Sequence, residues 1–514
     1  MKILLLPIFF LLSAVPAVFA AVPAYRDGSV PLEERVSDLL GRMTPEEKES
    51  LLSGVDSMDL PAVERLGIPK FRMTDGPMGV RLNSGEPGTA FPSGILMAAA
   101  FDPDLVRRTA SAMAVETLAY GRDMLLGPCV NIARVPQGGR NFESYGEDPW
   151  LASRLSAAYV SGLQSGGAAA SVKHYALNNQ ETDRGGVDVR IGERAMHEIY
   201  LPAFESAVRA GAWSVMAAYN KVNGRYASEN GPLLNGILKE RWGFKGFVVS
   251  DWGATHGTAS AANAGLDVEM PSGRYFGGGK LLKAVSDGAV NGAALDDKVR
   301  RVLRAMIGSG AFDRTDADRP PRSAIASSGH RALALEAAGK GMVLLKNEGG
   351  LLPLSVSGGT IAVLGPLAAV YSSGAGSSRV TPSAPVSPLE GLRGRAGPGI
   401  AIRYSEVVKL PVEMRPADPS WFSPPKGKGG VSDRGLYGEY FGNRELKGRP
   451  AAVRLDRSID FSWGAGRPAE GVGADDFSVR WTGILRVPAS GSYHIALRSD
   501  DGTRLWIDGA PVID

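Results

Sequence analysis

The 514-residue chain contains a single cysteine, Cys129, so no intramolecular disulfide can form even in an oxidising compartment. Cys129 stands in the apolar run Met124–Ile132 and reads as a small buried side chain without a function of its own. Histidine is almost as scarce: the five, at 174, 197, 256, 330 and 494, show no paired spacing and give no metal-ligand motif. No glycine-rich loop lies between a strand and a helix as a phosphate cradle would, and Gly277–Gly279 reads as a flexible turn. A block of charge of one sign is also missing. The 57 Lys+Arg and 54 Asp+Glu leave +3 without a basic run or an acidic tail, which argues against a nucleic-acid partner. Neither a metal nor a cofactor is expected, and nothing indicates the oligomeric state.

What is present begins with a leader. Lys2, the apolar stretch Ile3–Phe19 broken by Pro7 and Pro16, and the small-residue site Val18-Phe19-Ala20 read as a cleaved signal peptide over residues 1–20. The stretch is short for a membrane span and carries two prolines. Export to a periplasm or the cell exterior is therefore expected, with no membrane span left after cleavage. The remaining length exceeds what one hydrophobic core holds, so at least two domains are expected and more plausibly three or four.

From Val36 to Gly310 helical segments alternate with short apolar runs, the rhythm of βα units. Helical periodicity covers Asp104–Gly121, Pro149–Gln164, Glu193–Gly211, Pro232–Gly243 and Asp296–Ile307. Between them Phe71–Thr74, Met124–Gly127, Ala169–Val172, Val215–Ala218, Gly246–Ser250 and Leu266–Glu269 are continuous rather than alternating, as parallel strands buried on both faces should be. The fold class is α/β, and a (β/α) TIM-like barrel over residues 31–315 fits best. A Pro/Arg-rich linker follows at 316–328, with Asp316–Arg322 its clearest part. Residues 329–417 begin a second α/β layer with helix His330–Gly341 and buried strands Gly341–Leu345 and Thr360–Gly365. Residues 433–514 read as all-β, with alternating runs at Val479–Leu485, Gly491–Arg498 and Thr503–Ile507 and Gly turns between them.

Asp75, Lys173, His174, Tyr219 and Asp251 all fall just past an apolar strand, which in an α/β barrel is the catalytic face. Each segment alone has a plain structural explanation. Gly246–Trp252 delivers a carboxylate and an indole to the barrel mouth, but an acid after a strand often caps a turn. Thr74–Arg81 serves equally as a Gly/Pro turn. Lys173-His174 suits an ion-pair cluster as well as donors to ligand hydroxyls. In Gly139–Pro149, Asp148 is read as the N-cap of a helix with Pro149 at its first position.

Taken together, in this order and approximate spacing, the segments at Asp75-Gly76-Pro77, Arg140-Asn141-Phe142-Glu143-Ser144-Tyr145-Gly146-Glu147-Asp148-Pro149, Lys173-His174 and Ser250-Asp251-Trp252 resemble the signature segments of glycoside hydrolase family 3. The resemblance implies a retaining β-glycosidase, most plausibly a β-glucosidase acting on a β-glucoside or oligosaccharide, with Asp251 as nucleophile. It also implies that Asp75 accepts hydrogen bonds from sugar hydroxyls, that Arg140, Lys173 and His174 donate to hydroxyl oxygens, that Tyr219 lines the pocket, and that Trp252 offers a face to the sugar or aglycone. Lys173 and Arg140 would further hold the nucleophile ionised. Lys346–Gly349, Leu351–Leu354 and Ile361–Pro366 resemble the opening of the family's α/β sandwich domain. Residues from Leu436 onward resemble the protective-antigen-like β-sandwich inserted there in some members, which usually contributes to sugar recognition.

In the family the acid/base follows that inserted sandwich, and no glutamate between Glu336 and Glu470 matches its position; Glu390 in Ser387-Pro388-Leu389-Glu390 reads as a helix start. The acid/base is therefore not expected within the chain, which stops inside the sandwich on two apolar runs around Asp508-Gly509 with no closing element to pair them. Two other classes stay open: a truncated sugar-binding protein with little turnover, and a barrel of different chemistry such as a phosphate-binding isomerase. Asn178–Arg184 resembles the β-glucosidase branch rather than the N-acetylglucosaminidase branch. β-Xylosidase, α-arabinosidase or rhamnose-linked glucoside specificity remains open, because one hydroxymethyl group shifts selectivity by only about 1–3 kcal/mol.

Overall fold

The computed structural model describes residues 22–354, 358–407, 416–428, 434–464, 466–493 and 495–514. The leader at residues 1–20 lies outside them. The described residues form two compact units, one running up to Thr360 and including Ala369–Ile402, the other made of Ile361–Ala368 and Arg403–Asp514.

The first unit is built on a sheet in the order β1 (Asp59–Leu60), β2 (Phe71–Asp75), β3 (Met124–Leu126), β4 (Ala169–Tyr175), β5 (Ser214–Ala217) and β6 (Phe247–Ser250). β2 to β6 pair in parallel, as continuous apolar runs buried on both faces require. β1 departs from this and runs antiparallel to β2. Leu266–Glu269, expected as a full strand, contributes bridges only: Val268 pairs in parallel with Val249 and Glu269 with Ser53. Val55 then pairs with Asp59, so isolated bridges run on from β6 to β1.

Two of the helices sit where period and caps placed them. Pro103–Ala119 starts on Asp102, whose side chain accepts from the Leu105 N–H, and Pro149–Ser165 starts on Asp148, which accepts from the Trp150 and Leu151 N–H groups. Proline at the first helical position lacks only an N–H that would have had no partner. The stretch Glu193–Gly211 is not one helix. A π-helical turn Met196–Tyr200 precedes Pro202, which starts a separate helix Pro202–Arg209 because it cannot donate to the turn before it.

The segment expected to be a linker is held against the barrel as a strap. Arg319 and Arg314 reach buried Asp123 at 2.8 and 3.4 Å. Buried Glu116 accepts from the Ala326 N–H and lies 2.8 Å from His330 Nδ1. Helix Ser328–Gly341 follows, capped by Ser327 and tied by Glu336 to Arg108 at 2.6 Å. The helix ends at Gly341, and Met342–Leu345 is not the expected buried strand: all four residues are exposed and, among the described residues, join no sheet. Gly359–Leu364 does form a strand, paired with Ile400–Ser405, but it is mostly exposed rather than buried, with only Val363 covered. Ser387 and Glu390 form a reciprocal cap at the start of helix Pro388–Arg395.

In the second unit Leu436–Phe441 is the middle strand of an antiparallel sheet between Ala452–Asp456 and Ser478–Thr482. Asp456 is its polar anchor, accepting from Tyr440 Oη at 2.6 Å and Trp481 Nε1 at 2.7 Å. The described part of Gly491–Arg498 forms no strand. The two apolar runs around Asp508-Gly509 pair with each other as a hairpin, Leu505 opposite Ile513.

Candidate active site

All seven residues singled out in the sequence converge at the C-terminal ends of the barrel strands. Asp251 follows β6, and its backbone N–H continues the ladder to Ala217. Its carboxylate is buried. Oδ1 accepts from the Trp252 N–H at 2.7 Å, whereas Oδ2 has no hydrogen-bond partner and faces His174 Nε2 at 3.7 Å. Burial, the largest influence, raises the pKa of Asp251 above the ordinary 3.8, and Lys173, the Trp252 N–H, Arg140 and Tyr219 pull it part of the way back. Lys173 and Arg140 thus act in the expected direction, favouring the ionised carboxylate, while burial works against them.

Lys173 and His174 belong to β4 itself, which runs on to Tyr175 rather than stopping at Val172. Lys173 is buried and reaches Asp75 Oδ1 at 3.5 Å. His174 is fixed from behind, because Asn131 Nδ2 donates to the His174 carbonyl, which leaves Asn131 Oδ1 to accept from the His174 N–H at 2.8 Å and from Nδ1 at 3.1 Å. Burial, then Arg140, Lys173 and Arg184, hold its pKa well below 6.5. The imidazole is neutral with its proton on Nδ1, so Nε2 presents a lone pair to the pocket. Sequence reasoning cast His174 as a donor; this hydrogen-bond pattern makes it an acceptor.

Asp75 ends β2 and also receives Arg81 Nη1 at 3.0 Å. The turn that returns Arg81 requires Gly76, at φ 124°, because a Cβ there would overlap the Gly79 carbonyl oxygen. Tyr219 lies two residues past β5, donates to the Trp252 carbonyl at 3.0 Å, and carries the Arg184 guanidinium over its ring at 4.4 Å. Half-buried Trp252 is pinned by Nε1 to the Ser57 carbonyl at 2.6 Å. Arg140 forms an ion pair with buried Glu143 and donates to Ser377 Oγ at 3.0 Å. Ser377 also stands 3.5 Å from Lys173 Nζ.

Sequence reasoning assigned no role to Arg81, Asn131, Glu143, Glu181, Arg184 and Ser377. Arg81, Glu143, Glu181 and Arg184 stand inside segments that had already been singled out. Ser377 comes from a Gly/Ser stretch without periodicity, seated by the close approach of Gly374 to the Phe142 ring, and nothing local marks it. Among the described residues, no group of three or more His, Cys, Asp or Glu is arranged to hold a metal ion, and no helix is long and apolar enough to cross a membrane.

Against this geometry, residues 40–305 match the glycosyl hydrolase family 3 N terminal domain and residues 432–514 match the PA14 domain. The chain is 38% identical over 486 residues to a β-glucosidase of Rhizobium radiobacter, covering 93% of this chain and 57% of that one. It is 42% identical over 437 residues to β-glucosidase BoGH3A of Bacteroides ovatus, covering 78% and 58%. Among solved structures it resembles DesR, a β-glucosidase from Streptomyces venezuelae in complex with D-glucose, with TM-score 0.70, 32% identity, and 88% and 60% of the two chains covered. β-Glucosidase 3B from Thermotoga neapolitana in complex with α-D-glucose gives TM-score 0.66 at 35% identity, covering 72% and 55%. The chain thus spans somewhat under three fifths of the length of the curated relatives it matches. With a family model matching more than half of its residues onto this barrel, the chain belongs to glycosyl hydrolase family 3.

Proposed function

We propose that the protein is a retaining β-glycosidase that removes non-reducing terminal β-D-glucosyl residues by double displacement, with Asp251 as nucleophile. The observation that carries this reading is the bare, buried Oδ2 of Asp251 within a ring of polar groups held by other carboxylates and carbonyls. Attack of Oδ2 on the anomeric carbon forms a glycosyl ester as the leaving-group oxygen departs, and water then cleaves the ester with net retention. Lys173 and Arg140 donate to sugar hydroxyl oxygens, Asp75 and His174 Nε2 accept from hydroxyl groups, and Trp252 presents its ring to the sugar or aglycone. Tyr219 holds the wall beside the nucleophile. Relatives named β-glucosidases and neighbours bound to glucose support glucose as the sugar.

No residue is assigned as general acid. Asp75, Glu143 and Glu181 are each ion-paired to an arginine, the reverse of the apolar surroundings that keep a carboxylic acid protonated. We further propose that the protein is exported, on the strength of the leader at residues 1–20; N-terminal sequencing of the mature protein beginning just after Ala20 would support this, and an intact Met1 in the cytoplasm would refute it.

The test of the nucleophile is covalent trapping with a 2-deoxy-2-fluoro-β-glucoside bearing a dinitrophenolate leaving group, followed by peptide mapping. The expected adduct sits on the peptide containing Asp251 and is absent from Asp251→Asn. An adduct on another carboxylate would overturn the assignment.

A further inference from the structure

Glu143 closes the short turn Asn141–Glu143, and its side chain is 1% exposed. Its Oε1 lies against Arg140 Nη2, which is its single ion pair among the described residues. The other titratable groups beside it are Cys129, Tyr145 and Tyr159, in a small cavity otherwise walled by Pro, Gly, Met, Val and Thr. Burial pushes the Cys129 thiol up to about 12 and both phenols above their usual range. All three are neutral, so among the described residues Arg140 is the one cation paired with the buried Glu143 carboxyl group.

Arg140 in turn faces Glu143, Cys129, Glu181 and Asp251 and donates to Ser377. The other arginines at the pocket repeat the arrangement: Arg81 is held by Asp75 and Arg184 by Glu181. Asp251, faced by Lys173, Arg140, Tyr219 and His174, is left with a bare Oδ2. A guanidinium fork matches a carboxylate in two parallel hydrogen bonds. An Arg140 released from Glu143 would therefore move onto that oxygen, and a nucleophile clamped in this way cannot attack carbon.

We propose that Glu143 is a positioning residue that keeps Arg140 as a donor to the sugar and withholds it from the nucleophile Asp251. This rests on the function proposed above, and the test separates the two. Wild type and Glu143→Gln, which keeps the shape and removes the charge, are titrated with glucose and with 1-deoxynojirimycin, a gluco-configured piperidine that binds beside a carboxylate as its ammonium ion. In Glu143→Gln the cation should lose at least about tenfold more affinity than glucose, because Arg140 has neutralised its partner Asp251. The acid limb of the pH–rate profile with an aryl glucoside should move to lower pH. Glu143→Asp keeps the charge and should hold the ratio of the two affinities within about threefold of wild type, which keeps the idea testable if the Gln variant misfolds. Equal losses for both ligands, an unmoved acid limb, or a ratio broken equally by Glu143→Asp would reduce Glu143 to packing and overturn the inference alone. A wild-type protein that binds neither ligand would overturn the proposed function and this inference with it.

Discussion

The imidazole of His174 stands 3.7 Å from the carboxylate of Asp251, yet the two do not form an ion pair, because Asn131 takes the ring proton on the far side and burial keeps the ring neutral. The titration of the site therefore belongs to Asp251. Its acid limb in kcat/KM should lie above the ordinary aspartate value of 3.8, and Lys173→Met, which removes the largest opposing influence, should carry it higher still. An inflection near pH 6.5 that vanishes in His174→Gln would contradict the neutral imidazole.

The same desolvation has a stability signature. A carboxyl whose pKa is raised on folding binds more protons folded than unfolded, so its cost is absent below the unfolded value and fully present above the folded one. Asp251→Asn imitates the protonated form. The variant should melt higher than wild type at neutral pH, with a gain that fades as the pH falls towards 3.8. Thermal unfolding at pH 7 and at pH 4 checks both halves, and a lower melting temperature at pH 7 would contradict the burial argument.

Hydrogen bonds to the sugar are the next measurable. Asp75→Ala, Lys173→Ala and His174→Ala should each cut kcat/KM at least about tenfold, since each removes a charge-assisted or desolvated hydrogen bond of roughly 1.5–3 kcal/mol. If all three keep wild-type kinetics, the sugar pocket lies elsewhere.

Turnover should depend steeply on the leaving group. General acid catalysis is worth typically about 10²–10⁴-fold, and no carboxyl described around Asp251 is placed to supply it. Dinitrophenyl and nitrophenyl β-glucosides should be cleaved measurably and cellobiose hardly at all. Rates nearly independent of leaving-group pKa would mean that an acid acts at the site after all.

The strap offers a test away from the chemistry. Asp123→Asn leaves Arg314 and Arg319 facing an amide in a largely buried setting and should cost about 3 kcal/mol, read as a lower urea midpoint. Asp316→Ala, which removes a fully exposed partner of Arg319 at 3.7 Å, should leave the midpoint unchanged.

Much of the barrel was legible because buried parallel strands leave a local mark. Phe71–Thr74, Ala169–Val172 and Gly246–Ser250 are continuous apolar or small-residue runs, and Asp75, Lys173 and Asp251 at or just beyond their ends announce the catalytic face. Asp148 was legible as a cap because capping acts over three residues. What stayed hidden depends on distant partners. Whether His174 donates or accepts is decided by Asn131, 43 positions away, and Ser377 meets Lys173 across 204. Glu143 looked like one acid among several in a loop, since its burial is a property of the packed barrel. Met342–Leu345 misled for the opposite reason: an apolar run reads as a buried strand, but burial needs neighbours that the run itself does not encode.

The strap also bears on how the gene can be dissected. Asp123 and Glu116 are buried carboxylates whose partners, Arg314, Arg319, the Ala326 N–H and His330, arrive only as the strap is translated. A clone ending at residue 315, where composition draws the boundary, would lack the side chains of Arg319 and His330 and the helix that fills the space beside Leu96 with Gly341. A buried charge that loses its partner is among the most destabilising single defects. A barrel fragment that runs through Gly341 is therefore expected to be more stable than one ending at residue 315.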